Sequence, residues 1–359
     1  MRAKGLKWGE AMQPINAMRA IVALVAACGC FTQGVAAATL GGPVTLSDMG
    51  SFYVGGRNYV SDFADARADA GVKGTVRSSQ MYVQFQIPQN SNGVPVIMVH
   101  GANHTGVTYE TTPDGREGWG GYFSRKNHPV YIVDQAGRGR SGFDPSAINR
   151  ARIDGAAKDL PAIAIATREN AWMSYRLGPS YGVFWPDSRF PQQSLDQYFS
   201  QSAAMAESTL PGAGENTIEG LKLLLEKVGP AVLLVHSQSG AYGLAVAKAR
   251  PDLVRALVSI EGDCVPMDAK DVAGPFKRVP MLSVWGDHSF GFPSRNGDDR
   301  RNGCDASIKA IAAAGGNARF LLLPEEGIKG NSHMMMLENN NLQIADLVIA
   351  WIAKNAGQK

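Results

Sequence analysis

Residues 231–251 read AVLLVHSQSGAYGLAVAKARP. The first half, AVLLVHS, is apolar on both faces, as a strand buried inside a parallel sheet is. The second half, from Gly240, has helical character and stops at Arg250-Pro251. Between them lies a polar turn with two serines, Ser237 and Ser239. A sharp strand-to-helix turn is a known way to present a serine nucleophile, and it crowds strand against helix. The residues two before and two after the serine must then be small. Ser237 is flanked by Val235 and Ser239, and a β-branched valine fits that crowding poorly. Ser239 is flanked by Ser237 and Ala241, both small, and it opens the helix. The flanks therefore favour Ser239 as the nucleophile.

Outward from this stretch the same style continues. Short apolar runs occur at PVIMVH (95–100), PVYIVD (129–134), RALVSIE (255–261), VPMLSVWGD (279–287) and ARFLLLPE (318–325). Helical patterns separate several of them: GENTIEGLKLLLEKVG, CDASIKAIAAAGG and the final NNLQIADLVIAWIAKN. Strands alternating with helices predict an α/β fold built on a doubly wound, mostly parallel sheet. Before residue 90 the reading is strand-like, with Met81, Val83, Phe85 and Ile87 alternating. One connection is too long for a single crossover helix: about 96 residues separate Asp134 from Ala231. Within it, Trp172, Tyr175, Tyr181, Phe184, Trp185, Phe190, Tyr198 and Phe199 cluster among prolines. This predicts an irregular aromatic insertion, about 143–216, that caps a pocket, adds to the core, or does both.

A serine hydroxyl needs a base. Folds that use this turn run in the order serine, acid, histidine. Only His288 and His333 follow Ser239, and His333 lies in a loop between the last expected strand and the final helix, where the base belongs. The acid has two candidates. Asp287 ends its strand at the usual location, and Glu261 ends the preceding strand. Position alone favours Asp287. The oxyanion needs backbone donors, and the pattern offers the N–H groups of Gly240 and of Ala102, after His100-Gly101. His100 and His104 have an i, i+4 spacing but flank a loop glycine with no acidic partner, which argues against a metal. The loop Gly137-Arg138-Gly139-Arg140-Ser141-Gly142 matches a dinucleotide pattern formally. It does not open the first βα unit, and Pro145 follows at once, so it reads as a structural turn.

Taken together, HGANHTGVTYETTPDGREGWGGYF, YIVDQAGRGRSG, HSQSG and GNSHMMMLENNNLQIADLVIAWI resemble a group of secreted bacterial serine esterases in the α/β-hydrolase superfamily. The resemblance covers much of residues 95–355. It implies an α/β-hydrolase fold, an esterase without a cofactor, nucleophile Ser239 and base His333. It also implies a glutamate acid, which maps onto Glu261 and moves the preference there, with Asp287 as the alternative. A relative carries cysteines after its His-Gly, where this chain has Ala102-Asn103.

The N-terminus adds the compartment. Arg19, the apolar run Ala20–Ala27 and the exit Val35-Ala36-Ala37-Ala38 follow the signal-peptide pattern, with cleavage near residue 38 and a hydrolase domain over 39–359. Met18 is an alternative start to Met1. Val25-Ala26-Ala27-Cys28 offers a second reading, a lipoprotein box with Cys28 lipidated. Removing 1–38 takes away Arg2, Lys4, Lys7, Arg19 and Glu10, so basic residues fall from 35 to 31 and acids from 32 to 31. The remaining chain is formally neutral, which gives no argument for nucleic acid or anionic membrane. No apolar run reaches the roughly 18 residues of a membrane span. Cys264 and Cys304 remain, and an oxidising compartment predicts that they pair. The expectation is therefore a periplasmic or secreted serine carboxylic-ester hydrolase, cofactor-free, with a small-molecule ester as partner. An amidase or lactonase using the same residues, or a silent binding protein on this fold, are the alternatives. A monomer and a homodimer both stay open.

Overall fold

Successive residues of the apolar runs point to opposite faces of one sheet. Val96 and Met98 join a core on one side, while Ile97 and Val99 join a core on the other. Leu234 and Leu233 divide in the same way, as do Val258 and Leu257. Strands covered on both faces have no use for polar alternation, which is why these runs read as continuous apolar stretches.

The structure, a computed structural model, describes residues 40–61, 73–210, 212–264, 267, 269–291 and 297–357. The signal-peptide and Cys28 readings lie outside the described residues. Eight strands form the sheet: β1 (Leu46–Ser61), β2 (Gly74–Pro88), β3 (Val96–Val99), β4 (Val130–Asp134), β5 (Ala231–His236), β6 (Val254–Ile260), β7 (Met281–Trp285) and β8 (Ala318–Leu322). Their order is β1-β2-β4-β3-β5-β6-β7-β8. The β1–β2 and β2–β4 pairs are antiparallel, and all pairs from β4 onward are parallel.

Ten helices complete the described chain: α1 (Trp119–Arg125), α2 (Ser146–Ile153), α3 (Arg168–Ser174), α4 (Leu195–Ser200), α5 (Ala213–Val228), α6 (Ser239–Ala249), α7 (Ala269–Ala273), α8 (Pro275–Arg278), α9 (Asp298–Ala313) and α10 (Asn341–Asn355). Residues of α1 and α10 pack in the core on one face of the sheet, and residues of α5, α6 and α9 in the core on the other. Helix α9 starts earlier than the pattern from Cys304 suggested. Asp298 and Asp299 sit in its first turn, where carboxylates favour the helix dipole.

The long connection after β4 carries α2, α3 and α4 before the crossover helix α5. Its aromatics divide between core and surface. Trp172, Phe190 and Tyr198 are fully buried in the same core as α10, whereas Tyr181 is exposed. The segment therefore adds to the core, and residues 175–176 reach the ends of the strands, as described next.

Candidate active site

The turn between β5 and α6 decides which serine is presented. Ser237 has φ 53, a left-handed backbone that a non-glycine residue adopts only where its surroundings enforce it. Its carbonyl accepts from the N–H groups of Gly240 (2.9 Å) and Asp263 (2.8 Å), which pins the turn on both sides. Ser239 sits one step further, inside the first turn of α6, and is fully buried. Its hydroxyl bonds the carbonyls of Val99 and His236 and accepts the His236 N–H, all at 2.9 Å. That hydroxyl is occupied in tying the turn to β3, so the structure corrects the sequence reading: the residue on the elbow is Ser237. Room for Val235 comes from the facing helix, which the residues flanking the serine do not reveal. A Cβ on Gly243 would lie 3.0 Å from Val235 Cγ1, so the absent side chain of Gly243 is what accommodates the valine.

Glu261 sits at the end of β6, the strand beside β5, and is also left-handed, with φ 44. The structure brings its carboxylate to His333: Nδ1 donates to Oε2 at 2.7 Å, both side chains fully buried. The other oxygen, Oε1, accepts from the Gly286 N–H (2.8 Å) and from Arg176 Nη2 (2.5 Å). Burial raises the Glu261 carboxyl, but Arg176 and His333 outweigh it and hold the group at about 2. An ionised Glu261 fixes the His333 tautomer with the proton on Nδ1 and the lone pair on Nε2. Among the described residues Nε2 has no hydrogen-bond partner. Burial lowers His333 to about 4; Glu261 opposes this, and Arg176 and Arg300 reinforce it. Desolvation exceeds the carboxylate's pull.

The alternative acid is placed elsewhere. Asp287 accepts from the N–H groups of His288 (2.7 Å) and Gly330 (3.2 Å). His288 stacks on Trp185 and reaches Asp187 at 2.9 Å.

Three side chains clamp the turn after β3. The Gly101 carbonyl accepts from His100 Nδ1 (2.8 Å) and from Arg138 Nη1 (3.1 Å). His100 Nε2 accepts the Gln135 N–H at 3.0 Å, so its proton must be on Nδ1. The Ala102 carbonyl accepts from His104 Nδ1 at 2.7 Å. Gly101 C=O and Ala102 N–H belong to one peptide plane, so these bonds set the direction of the Ala102 donor. Gly101 also abuts the elbow, since a Cβ there would lie 2.9 Å from Ser237 Cβ. Gly240 is not the second donor. Its N–H is already bonded to the Ser237 carbonyl, and with Ser237 on the elbow the following N–H is that of Gln238.

Sequence reasoning missed the residues that the insertion supplies. Arg176, left-handed at φ 56, binds Glu261, and the Asp287 carbonyl accepts from its Nε at 3.2 Å. The Tyr175 carbonyl accepts the His333 N–H at 3.0 Å, and its ring stacks on the imidazole, 5.6 Å between centroids and 11° between planes. Glu207 forms a buried ion pair with Arg138. Asn103, at the departure from the relative, is tied to the insertion by Ala166 N–H to Oδ1 (3.1 Å) and Ala203 N–H to its carbonyl (2.8 Å). None of these contacts leaves a periodic trace in sequence. The loop with the formal dinucleotide pattern folds back on Asp134, whose carboxylate accepts from Arg140 and from the Gly106 N–H. Cys264 and Cys304 form a disulfide, Cα–Cα 5.2 Å.

A mostly parallel eight-stranded sheet in this order, with a left-handed serine after β5 and a carboxylate–histidine pair at the same edge, defines an α/β-hydrolase. The comparisons agree. No family model matches the chain. A solved structure described as a novel bacterial esterase is 43% identical, with a TM-score of 0.82, covering 88% of this chain and 98% of that one. A probable secreted lipase phiG from Fungal sp. (strain ATCC 74256) is 29% identical over 360 residues, 83% of this chain and 94% of that protein. The chain belongs to the α/β-hydrolase superfamily, in the group of ester hydrolases that the bacterial esterase represents. The disulfide and the secreted relative fit a location outside the cytoplasm. Among the described residues no helix is long and apolar enough to cross a membrane.

Proposed function

We propose that the chain is an exported serine carboxylic-ester hydrolase that works through an acyl-enzyme on Ser237. Ser237 turns about χ1 from Arg300 toward His333, whose Nε2 takes the hydroxyl proton as Oγ attacks the ester carbonyl carbon. The N–H groups of Ala102 and Gln238 receive the oxyanion. Imidazolium stabilised by Glu261 returns the proton to the leaving alcohol. His333 then deprotonates water, which attacks the acyl-enzyme and releases the carboxylic acid with Ser237 restored.

The observation that carries this reading is the buried Glu261–His333 pair, 2.7 Å apart, at the strand edge that presents the elbow serine. The test is a pair of variants assayed on a short-chain p-nitrophenyl ester. Ser237→Ala is expected to lower kcat by on the order of 10⁴ or more. Ser239→Ala is expected to lower the unfolding midpoint, through lost backbone bonds, and to keep kcat within about tenfold. Near-normal turnover by a folded Ser237→Ala protein overturns the assignment.

A further inference from the structure

The mechanism gives no part to Glu338, yet its carboxyl is fully buried five residues after the base. Oε1 accepts the Ser332 N–H at 2.8 Å, and Oε2 accepts from Asn331 Nδ2 at 2.6 Å. These two partners immediately precede His333. The Asn331–Ser332 peptide is thus held on both sides, because the Asn331 carbonyl accepts the Asp287 N–H at 2.7 Å. The groups that follow are held as well. The Tyr175 carbonyl accepts the His333 N–H, and His236 Nε2 donates to the His333 carbonyl, each at 3.0 Å. Burial keeps His236 neutral. Of these contacts, then, only those of Glu338 change with a proton.

The titratable and charged groups around it come from several elements. At the end of β6, Glu261 adds a like charge. On α4, the Tyr198 phenol is pushed well above its ordinary value by burial, with Tyr175 and Glu338 adding to it. Before α1, Arg116 reaches only the backbone of Glu338, where Nη1 donates to the carbonyl at 2.9 Å, and its charge is paired with Asp114. From the insertion, Arg189 donates to the Lys329 carbonyl. On its own loop, burial holds His333 neutral down to about 4. Burial raises Glu338 to about 7, opposed by the hydroxyl and N–H of Ser332 and the amide of Asn331. These three groups all donate, which suits a carboxylate that only accepts. Asn331 Nδ2 also donates to Asn340 Oδ1 at 2.7 Å, and Asn340 Nδ2 returns a bond to Asn331 Oδ1 at 3.0 Å. A neutral carboxyl needs an acceptor in place of one donor. The Ser332 hydroxyl must then turn, or the Asn331–Asn340 amide pair must reverse.

We propose that Glu338 is a positioning residue for the base: its ionised carboxylate holds the peptide before His333, and proton uptake loosens that hold and slows proton transfer from Ser237. This rests on the ester-hydrolase reading with His333 as base. The charge matters because a carboxylate holds an N–H more tightly than a neutral acid does. The effect falls on kcat, since Glu338 acts through the loop and touches no substrate.

The experiment measures kcat and KM for p-nitrophenyl butyrate between about pH 5 and 9. In the wild-type protein kcat is expected to rise by about three- to tenfold as pH passes through neutrality, with KM flat. This step is separate from the limb that His333 sets at lower pH. Infrared difference spectra of the same protein should show a buried neutral carboxyl disappearing over the same interval. Glu338→Gln keeps the acceptor but cannot ionise, so its kcat should lie below the wild-type plateau by a similar factor and show no step. Glu338→Asp should retain part of the step. A wild-type kcat that stays flat through neutrality overturns the proposal, whether or not any variant folds. A carboxyl band that titrates apart from kcat does the same. A step that persists in folded Glu338→Gln belongs to another group and also overturns it. Absence of turnover at every pH refutes the esterase reading, and the proposal falls with it.

Discussion

The strand ends and the insertion between β4 and β5 bring opposite things to one site. The ends of β5 and β6 carry the proposed reactive groups, Ser237 and Glu261, each on a left-handed residue after a regular strand. The insertion carries groups to which the proposed mechanism gives no bond-making step. Arg176 balances Glu261, Glu207 balances Arg138, and Tyr175 seats His333 by ring and carbonyl. Regular scaffolding fixes the direction of the strand-end groups, while irregular chain balances their charge and seats the imidazole. The difference shows where a substitution should hurt and how. Changes at the strand ends should remove chemistry, and changes in the insertion should shift its pH dependence.

Ranked by effect on turnover, the first test contrasts two carboxylates at strand ends. Glu261→Gln is expected to lower kcat by on the order of 10³–10⁴, because His333 loses the partner that fixes its tautomer and stabilises its cation. Asp287→Asn should stay within about tenfold, since its carboxylate holds the loop N–H groups of His288 and Gly330. A crippled Asp287→Asn beside a near-normal Glu261→Gln would reverse the roles of the two strands. Both variants should be assayed only after circular dichroism shows them folded.

Next comes the insertion. A neutral His333 is needed as base, so activity is lost as pH falls through its pKa. Burial, aided by Arg176 and Arg300, holds that value at about 4, so the acid limb of kcat/KM should lie well below 6.5. Arg176→Gln removes a positive charge that disfavours imidazolium, and the limb should move to higher pH. The same change should lower kcat by about ten- to a hundredfold, as Glu261 loses a charge-assisted bond. Arg176→Lys should restore part of both. An acid limb that stays in place in Arg176→Gln would reduce the insertion to a packing role.

The smallest effect on turnover belongs to the disulfide. It closes a separation of 40 residues beside the Glu261 strand. Its loss should cost about 3–4 kcal/mol of stability in the chain-entropy model. Folded Cys264→Ser, Cys304→Ser protein should keep neutral-ester kcat within about threefold, because the elbow and the Glu261–His333 pair are held by other bonds. Urea unfolding reports the first effect and initial rates report the second. A collapse of kcat in folded protein would show that the loop after β6, and not the strand end alone, positions the acid.

Much of this architecture is legible in the chain, and the reasons are physical. The strands show because burial on both faces demands continuous apolar runs, and α5 shows because its polar start, 3–4 spacing and Gly229 stop are local signals. Glu261 and His333 were reached through resemblance and through order along the chain. The elbow was misread by two residues. Its crowding is relieved by Gly243 on the facing helix, and a rule about flanking residues cannot see a gap across the turn. Choosing Ser239 also carried the oxyanion donor to Gly240, whose N–H is spent on the turn itself. Arg176, Arg138 and Tyr175 stayed hidden because irregular chain has no period to read.

The central claim is that the hydroxyl presented to the substrate belongs to Ser237. Treating the native protein with a fluorophosphonate and mapping the adduct by peptide mass spectrometry tests it directly. Both serines fall in one short peptide, so fragment ions must separate the two positions. A single adduct on Ser237 is expected, unchanged in Ser239→Ala and absent in Ser237→Ala. An adduct on Ser239, or labelling that survives Ser237→Ala, would contradict it.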